Sequence, residues 1–476
     1  MSKEEKSALE EKLTMKKELI WTSVKPTEKK RIFAFAEEYR RFLSTAKIER
    51  EAVTAIVNFA ERKGFKPLEK AKRYQPGAKL YAVNRNKNVA LIVLGQQPIE
   101  NGVNIVAAHI DSPRLDLKQN PLYEDSDTQL ALLKTHYYGG IKKYQWVSTE
   151  LAIHGRVITS DGRTIDLCIG EKPEDPVFTI ADLLPHLARE TLAKRKASEA
   201  IKGEELNVLL GSIPVDDENA KQKVKLWVLD YLNKEYGIVE EDFTSAEIEI
   251  VPAGPARDVG LDRSMIGGYG QDDRSCAYTA MRAICDAKAP ERTAIAIFFD
   301  KEEIGSESNT AVQSKFVESV IGDIIALARP NYNDWLLRKV LQRSSAISAD
   351  VNAGVNPTFK DVHELNNASK LGYGIVITKF TGHGGKYAAN DANAEYVSKI
   401  RALLNKAKIP WQIGELGKVD IGGGGTVAKF LARHNMDIVD AGPALLGMHS
   451  LFEVSNKADI YYTYRAYLEF FNKMKG

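Results

Sequence analysis

The stretch TAIAIFFDKEE, from Thr293 to Glu303, is an apolar run that ends in two adjacent glutamates. A continuous apolar run of this length predicts a strand that is buried on both faces. Such a strand belongs to a sheet that is covered by helices on each side. Because Glu302 and Glu303 follow directly, we expect acidic side chains at the carboxyl end of a buried strand.

The same kind of short apolar run recurs along the chain, as SSAISADV, YGIVITKF and MDIVDAG, with helical patterns such as NAEYVSKIRALLNKAK between them. Strands that alternate with helices predict an α/β fold, with a mostly parallel sheet flanked by helices. Between Arg114 and Pro252 the pattern changes to antiparallel β, as in WVSTELAIHGRVITSDGRTIDLCIG. We therefore expect one α/β domain, residues 1–113 and 253–476, interrupted by a β-rich domain, residues 114–252.

Composition excludes several classes of protein. The 476 residues carry a formal net charge of +2, which predicts binding to neither nucleic acid nor membranes. The N-terminal sequence MSKEEKSALEEKLTMKKELIW is too highly charged for a signal peptide, and no apolar run approaches membrane-spanning length. The three cysteines show no paired spacing, which fits a reducing compartment. The expected location is the cytoplasm.

Carboxylates and imidazoles follow several of the predicted strands, and functional groups collect at the carboxyl ends of strands in parallel sheets. Carboxylate and imidazole without thiolate is the ligand set of a hydrolytic zinc, manganese or cobalt site. The residues are His109 and Asp111 after NIVAA, Asp272 and Asp273 in GGYGQDDRSC, Glu302 and Glu303 in FFDKEE, Asp350 in SAISAD, and His449 in ALLGMHS.

Each of these residues taken alone has an ordinary structural explanation. An Asp at a helix start, such as Asp272, is usually an N-cap, and a lone His449 is usually a packed or solvated imidazole. Adjacent acids such as Glu302 and Glu303 usually form a solvated loop. Several acids at one crevice without a cation would raise each other's pKa and destabilise the fold. The joint pattern therefore favours a metal site.

These motifs also resemble those of a known family. AAHIDSPRLDLK, YGGI, QDDRSC, DKEEIGSES, ISADV and GMHS occur in the order found in the aspartyl aminopeptidase and vacuolar aminopeptidase I family of dizinc exopeptidases. The resemblance covers nearly the whole chain, including the position of the insertion. It implies a zinc-exopeptidase-like fold and an enzyme that removes N-terminal residues from short peptides. It also implies a homo-oligomer, a dodecamer, that is assembled through residues 114–252.

The resemblance assigns a role to each site residue. It implies two divalent ions, zinc in the first place, with cobalt or manganese as alternatives. His109, Asp272 and Asp350 would hold one ion. Asp272, Glu303 and His449 would hold the other, so that Asp272 bridges the pair.

It also implies that Glu302 is the general base and that Asp111 orients His109. The bridging Asp in related sites precedes a cis peptide bond, which here would join Asp272 to Asp273.

Four residues are candidates for substrate binding. In acid-selective relatives a lysine on the strand equivalent to GYGIVITKF meets the substrate's acidic side chain. Lys379 is the candidate here, and Thr378 is the other choice, because a shift of one residue turns the side chain to the opposite face. Lys143 stands near YGGI, where relatives carry a histidine. The glycine-rich loop of residues 420–426, with Asp420 and Gly425, is expected near the substrate pocket.

Two classes of function remain open. The first is a metalloaminopeptidase whose preferred N-terminal residue is either acidic or neutral. The second is a non-catalytic scaffold or cargo-binding relative, which would be expected to have lost ligand residues. A dimetal hydrolase of non-peptide amides or acylated amino acids is a further alternative, and it would not need the free amine.

Overall fold

A nine-stranded mixed sheet forms the centre of the computed structural model, which describes residues 8–15, 17–69, 74–329 and 332–476. Its four middle strands run parallel, as the alternation of strands and helices predicted. Antiparallel pairings occur only toward its two edges. In spatial order the strands are Lys66–Pro67, Lys79–Asn84, Asn88–Val93, Ala294–Phe299, Asn104–His109, Ser345–Ser348, Asp437–Gly442, Ile375–Thr378 and Trp411–Ile413.

The strand Ala294–Phe299 is buried throughout and contributes to a core on each face of the sheet. Ala296 and Phe298 pack into the first core, whereas Ile297 and Phe299 pack into the second. Side chains in a strand alternate between faces, so an uninterrupted apolar run is what two covered faces require. Burial of each phenylalanine contributes about 1.5–3 kcal/mol.

Helices cover both faces of this sheet. The first core includes side chains from Pro26–Thr45, Glu49–Arg62, Gln271–Asp286, Ala394–Ala407 and Lys457–Lys473. The second core includes side chains from Phe316–Ala328, Asp334–Gln342 and Ala428–Leu431. The α/β fold with a flanked sheet is therefore confirmed. The further helices are Ala8–Leu13, Pro185–Ala188 and Lys223–Tyr236. Within the described ranges, no helix combines the length and hydrophobicity needed to cross a bilayer.

A separate six-stranded antiparallel sheet lies between Arg114 and Pro252. It has a hydrophobic core of its own, which includes Trp146 and Leu115. In spatial order its strands are Thr164–Ile169, Leu151–Ile158, Glu247–Pro252, Arg114–Glu124, Ala131–Tyr138 and Asn207–Gly211. Its first and last residues coincide with the bounds of the expected β-rich insertion.

Two smaller sheets place loops beside the central sheet. A five-stranded sheet contains Arg257–Val259, Met265–Gly268, Glu453–Asn456, Ala444–Leu446 and Asn352–Ala353. The segment between Ala444–Leu446 and Glu453–Asn456 carries His449. A two-stranded sheet pairs Gly382–His383 with Gly423–Gly424, in the glycine-rich loop.

Candidate active site

Asp272 lies between two imidazoles. Its Oδ1 is 3.2 Å from His109 Nε2, and its Oδ2 is 3.1 Å from His449 Nε2. The same His449 nitrogen is 3.3 Å from Glu303 Oε1. His109 ends a strand of the central sheet and Glu303 follows the neighbouring strand, so the fold joins residues far apart in sequence.

Asp350 and Asp273 approach His109 from another side. One donor atom from each of the three residues lies within 4.8 Å of the others, as do donor atoms of His109, Asp272 and Glu303. Asp350 follows the strand next to that of His109. The sequence predicted the convergence on His109, but the resemblance gave Asp273 no ligand role.

The backbone departs from helical geometry where the bridging carboxylate is presented. Helix Gln271–Asp286 has non-helical dihedral angles at Asp272 and Asp273, and the peptide bond between the two is cis. The cis bond agrees with the expectation from the resemblance.

Glu453 holds this segment against the His449 loop. Its Oε2 accepts hydrogen bonds from the backbone N–H of Gln271 at 2.5 Å and of Asp272 at 3.1 Å. Its Oε1 accepts one from the N–H of His449 at 2.8 Å. Burial raises the pKa of Glu453 to about 8, and the nearby Asp272 adds to this. Sequence reasoning missed Glu453, because a single acid at a strand start carries no recognisable signal.

Asp111 connects His109 to the Glu302–Glu303 turn. The backbone N–H groups of Glu302 and Glu303 donate to its two carboxylate oxygens at 3.1 and 3.2 Å. His109 Nδ1 is 3.1 Å from the Asp111 carbonyl oxygen and 3.4 Å from Oδ1. Tyr138, from the six-stranded sheet, donates its hydroxyl to Oδ2 at 2.8 Å. The tyrosine was also missed, since nothing in the sequence couples it to Asp111.

Electrostatics at this centre favour a bound cation. Among the described residues, the buried oxygens Asp272 Oδ1, Asp273 Oδ1 and Glu303 Oε1 have no partner with hydrogen-bond geometry, although the first and the third each lie near an imidazole nitrogen. Burial, together with the charge of Asp273, raises the pKa of Asp350 well above its usual value. Unpaired buried charges are costly, and a divalent ion would offset that cost. Imidazole nitrogens and carboxylate oxygens are donors that suit zinc.

Glu302 stands among these acids. Burial raises its pKa to about 8, with further contributions from the charges of Glu303, Asp111 and Asp272. His449 behaves in the opposite way: although burial opposes protonation, Asp272 and Glu303 raise its pKa to about 12. A cation in place of the proton would satisfy the same carboxylates.

A cavity of about 320 Å³ opens in front of the cluster. Its lining combines the predicted metal ligands and Glu302 with residues of the glycine-rich loop and of the strand Ile375–Thr378. The lining residues used below are Thr378, Gly425, Thr426, Lys429, Phe430 and Asp440.

The substrate-binding candidates are only partly brought to this cavity. Gly425 and Thr378 line it, whereas Lys379, Asp420 and Lys143 are not among the described lining residues. Lys379 turns to the opposite side, where its Nζ lies 2.6 Å from Asp391 Oδ1. Of the two choices left open by the sequence, Thr378 is therefore the one that lines the cavity.

The other two candidates lie elsewhere. Asp420 is exposed, at a positive φ of 70° in the loop. Lys143 sits with its Nζ 5.4 Å from the centroid of the Tyr137 ring, on the six-stranded sheet.

Comparison with protein families identifies the lineage of the chain. A family model described as aminopeptidase I zinc metalloprotease (M18) matches residues 42–471. The chain belongs to the M18 family. It is thus a zinc metalloaminopeptidase, a hydrolase, and the resemblance drawn from the motifs is confirmed.

M18 relatives match along almost their full length. The chain is 51% identical to a probable M18 family aminopeptidase 1 of Thermotoga maritima, over 97% of this chain and 100% of the relative. It is 50% identical to the one of Clostridium acetobutylicum, over 95% and 97% of the two chains.

Solved M18 structures share the fold. The Thermotoga maritima aminopeptidase superposes with a TM-score of 0.93 at 51% identity, covering 97% of this chain and 100% of the other. A more distant structure, described as the S. cerevisiae mApe1 dodecamer, has a TM-score of 0.74 at 21% identity, covering 92% and 96%.

Proposed function

We propose that this M18 enzyme removes single residues from the free N-terminus of short peptides at the cavity in front of Asp272. The observation that carries the proposal is the position of the Asp272 carboxylate, with one oxygen directed at His109 and the other at His449. A carboxylate shared in this way is the arrangement expected for the bridge of a two-metal site.

Two divalent ions fit the donors. His109, Asp272 and Asp350 would hold the first, and Asp272, Glu303 and His449 the second. Zinc agrees with the family description, and cobalt and manganese accept the same donor types. One donor atom each of Asp273, His109 and Asp350 lie within 4.8 Å of one another, so Asp273 is an additional candidate ligand at the first position.

When bound, the ions supply Lewis acidity, which polarises the scissile carbonyl and lowers the pKa of a nearby water. Glu302 takes the proton from the attacking water and delivers it to the leaving amine. Its neighbour Glu303 serves as a ligand, so the paired acids at the end of the buried strand divide two tasks. Asp111 holds Glu302 and Glu303 in position, because its carboxylate accepts hydrogen bonds from their backbone N–H groups. It also orients the imidazole of His109.

Replacement of the base tests this assignment. Glu302→Gln is expected to reduce kcat on aminoacyl-arylamides by about 10²–10⁴-fold, because only the proton transfer is removed. Metal content, measured by atomic emission, is expected to stay at the wild-type level, because Glu302 is not assigned as a ligand. A variant with a near-wild-type rate would rule out Glu302 as the base.

Chelation and blocked substrates test the reaction class. Loss of activity on chelation, with recovery on adding zinc, cobalt or manganese, is expected for the enzyme and would not occur in a scaffold. An aminopeptidase requires the free amine, so N-acetylated peptides are expected to be inert. Efficient cleavage of acylated substrates would point to an amidohydrolase.

Assembly and location belong to the same proposal. We propose residues 1–113 and 253–476 as the catalytic domain, and residues 114–252 as an oligomerisation domain that builds a dodecamer. The yeast dodecamer shares the fold, and the region 114–252 exposes apolar side chains that include Leu184 and Leu187. A cytoplasmic location remains the prediction made from the sequence.

A further inference from the structure

Lys429 places an ammonium group in the substrate cavity. The residue lies on the short helix Ala428–Leu431, directly after the glycine-rich loop, and is half-buried. A Cβ atom at Gly425 would lie 2.9 Å from its Nζ, so the amine rests against a glycine that itself lines the cavity. The Nζ is also 4.7 Å from the centroid of the Phe430 ring.

This ammonium has no carboxylate within ion-pair distance among the described residues. Other lysines near the cavity are paired: Lys379 with Asp391, and Lys301 with Asp300. Lys429 is also the only lysine or arginine among the described residues that line the cavity.

The remaining cavity acids have other tasks. Asp272, Glu303 and Asp350 are assigned to the ions and Glu302 to proton transfer. Asp440 accepts a hydrogen bond from the Thr426 hydroxyl at 2.6 Å. Burial raises the pKa of Asp440 to about 6, although the hydroxyls of Ser348 and Thr426 partly oppose this, and no described lysine or arginine forms an ion pair with it. Lys429 therefore remains available to a ligand.

We propose that Lys429 binds a carboxylate of the peptide substrate. This inference rests on the proposed aminopeptidase function and adds a substrate class to it. A half-buried ammonium on an aromatic ring gains from an anionic partner, because charge-assisted hydrogen bonds are strong where water is partly excluded.

Two parts of a peptide carry this chemistry. One is the side chain of an N-terminal Asp or Glu, and the other is the C-terminal carboxylate of a dipeptide. The cavity of about 320 Å³ is at the lower end of the volumes of ligand sites, which suits a ligand of one or two residues.

Two substrate ratios distinguish the sources, measured on the metal-loaded full-length enzyme. The first ratio is kcat/KM for Asp-arylamide over Leu-arylamide. The second is kcat/KM for the dipeptide Leu-Leu over its C-terminal amide. Lys429→Met is expected to lower one of them about 10- to 100-fold, the effect of losing a hydrogen bond to a charged group. Lys429→Arg keeps the charge and is expected to retain most of that ratio.

The matched control is Lys418→Met, an exposed lysine of the same segment that does not line the cavity. Both ratios are expected to stay at the wild-type values in this control. Thermal unfolding verifies the folded state, and Lys429→Gln replaces the Met variant if that variant does not fold.

Each result is decisive. A fall in the first ratio assigns the carboxylate to the N-terminal side chain, and a fall in the second assigns it to the C-terminus. If neither ratio changes, or if the wild-type enzyme favours neither carboxylate substrate, Lys429 does not bind a carboxylate. A wild-type enzyme that cleaves no substrate in a metal-dependent manner would instead overturn the proposed function itself.

Discussion

Glu453 acts at the scale of single residues, by connecting two loops of the candidate site through three backbone N–H groups. One of its oxygens serves the Asp272 segment and the other serves His449. Because groups behind the ligands fix ligand orientation, their loss weakens metal binding as well as activity. We therefore place Glu453 among the residues that position the ligands.

The variant Glu453→Gln is expected to reduce metal affinity and kcat/KM each by about 10- to 100-fold. Both carboxylate oxygens of Glu453 accept hydrogen bonds from backbone N–H groups. The glutamine amide has only one acceptor oxygen, so its NH₂ group would face at least one of these N–H donors without forming a hydrogen bond. Equilibrium dialysis with zinc and arylamide hydrolysis measure the two effects. The exposed Glu395→Gln serves as the control. Unchanged zinc binding in Glu453→Gln would refute the positioning role.

The candidate ligands could be proposed from the sequence because each stands beside a recognisable element. His109 ends a buried strand, Glu303 lies in the turn after one, and Asp272 lies in the first turn of a helix. Glu453 and Tyr138 could not be proposed, since their roles depend on backbone and side-chain partners that only the tertiary structure brings together. Lys429 was missed because a lysine beside a glycine-rich loop is usually solvated.

At the scale of elements, the last two residues of the strand Ala131–Tyr138 lie on opposite faces of the sheet and differ in burial. Tyr138 is buried and donates to Asp111 Oδ2, whereas Tyr137 is 43% exposed. A similar alternation places Thr378 at the cavity and Lys379 beside Asp391, where the sequence left the register open by one residue. The apolar run YGIVITKF predicted the strand Ile375–Thr378, but it did not predict which face of that strand meets the cavity.

Tyr138→Phe removes one hydrogen bond to the Asp111 carboxylate without changing the ring. The free energy of unfolding is expected to fall by about 1.5–3 kcal/mol, which is typical of a bond to a charged acceptor. Because Asp111 also positions Glu302, kcat is expected to fall as well. Urea unfolding and arylamide turnover measure both. Tyr137→Phe, which removes an exposed hydroxyl from the same strand, should change neither, and equal effects in the two variants would contradict the assignment.

At the scale of the whole molecule, buried charges connect the six-stranded sheet to the central one. Arg114 Nε lies 3.0 Å from Glu249 Oε2, and Arg114 Nη1 lies 3.7 Å from Glu49 Oε2. Lys87 approaches Glu49 at 3.0 Å. Burial opposes ionisation of Glu49, but Arg114 and Lys87 hold its pKa well below the usual value. The antiparallel strands between Arg114 and Pro252 were predictable from the sequence, whereas this junction was not, because its residues are distant in the chain.

Arg114→Met is expected to cost at most about 3–5 kcal/mol of unfolding free energy at pH 7, because it removes one of the two cations that stabilise the buried Glu49 carboxylate and leaves only Lys87. In the wild type, the contribution of Glu49 is complete above its ordinary pKa of 4.5 and is lost as pH falls. The cost of the substitution should therefore stay constant between pH 7 and about pH 5 and shrink once the pH falls below about 4.5. Urea unfolding of the metal-free protein across this range measures it.

The matched control is Arg156→Met, whose partner Asp166 is 65% exposed and whose ion pair is worth at most about 1 kcal/mol. A cost for Arg114→Met that does not vary with pH would show that lost packing, and not charge, explains the effect.

The hydroxyl of Tyr138, on the six-stranded sheet, reaches the carboxylate of Asp111, which lies just beyond a strand of the nine-stranded sheet. A truncated enzyme that keeps only the nine-stranded sheet would lose this hydrogen bond, because Tyr138 belongs to the deleted six-stranded sheet. Protein engineers should therefore treat the whole chain as the smallest unit worth expressing, and should look for tolerance to deletion in the outer loops of the second sheet.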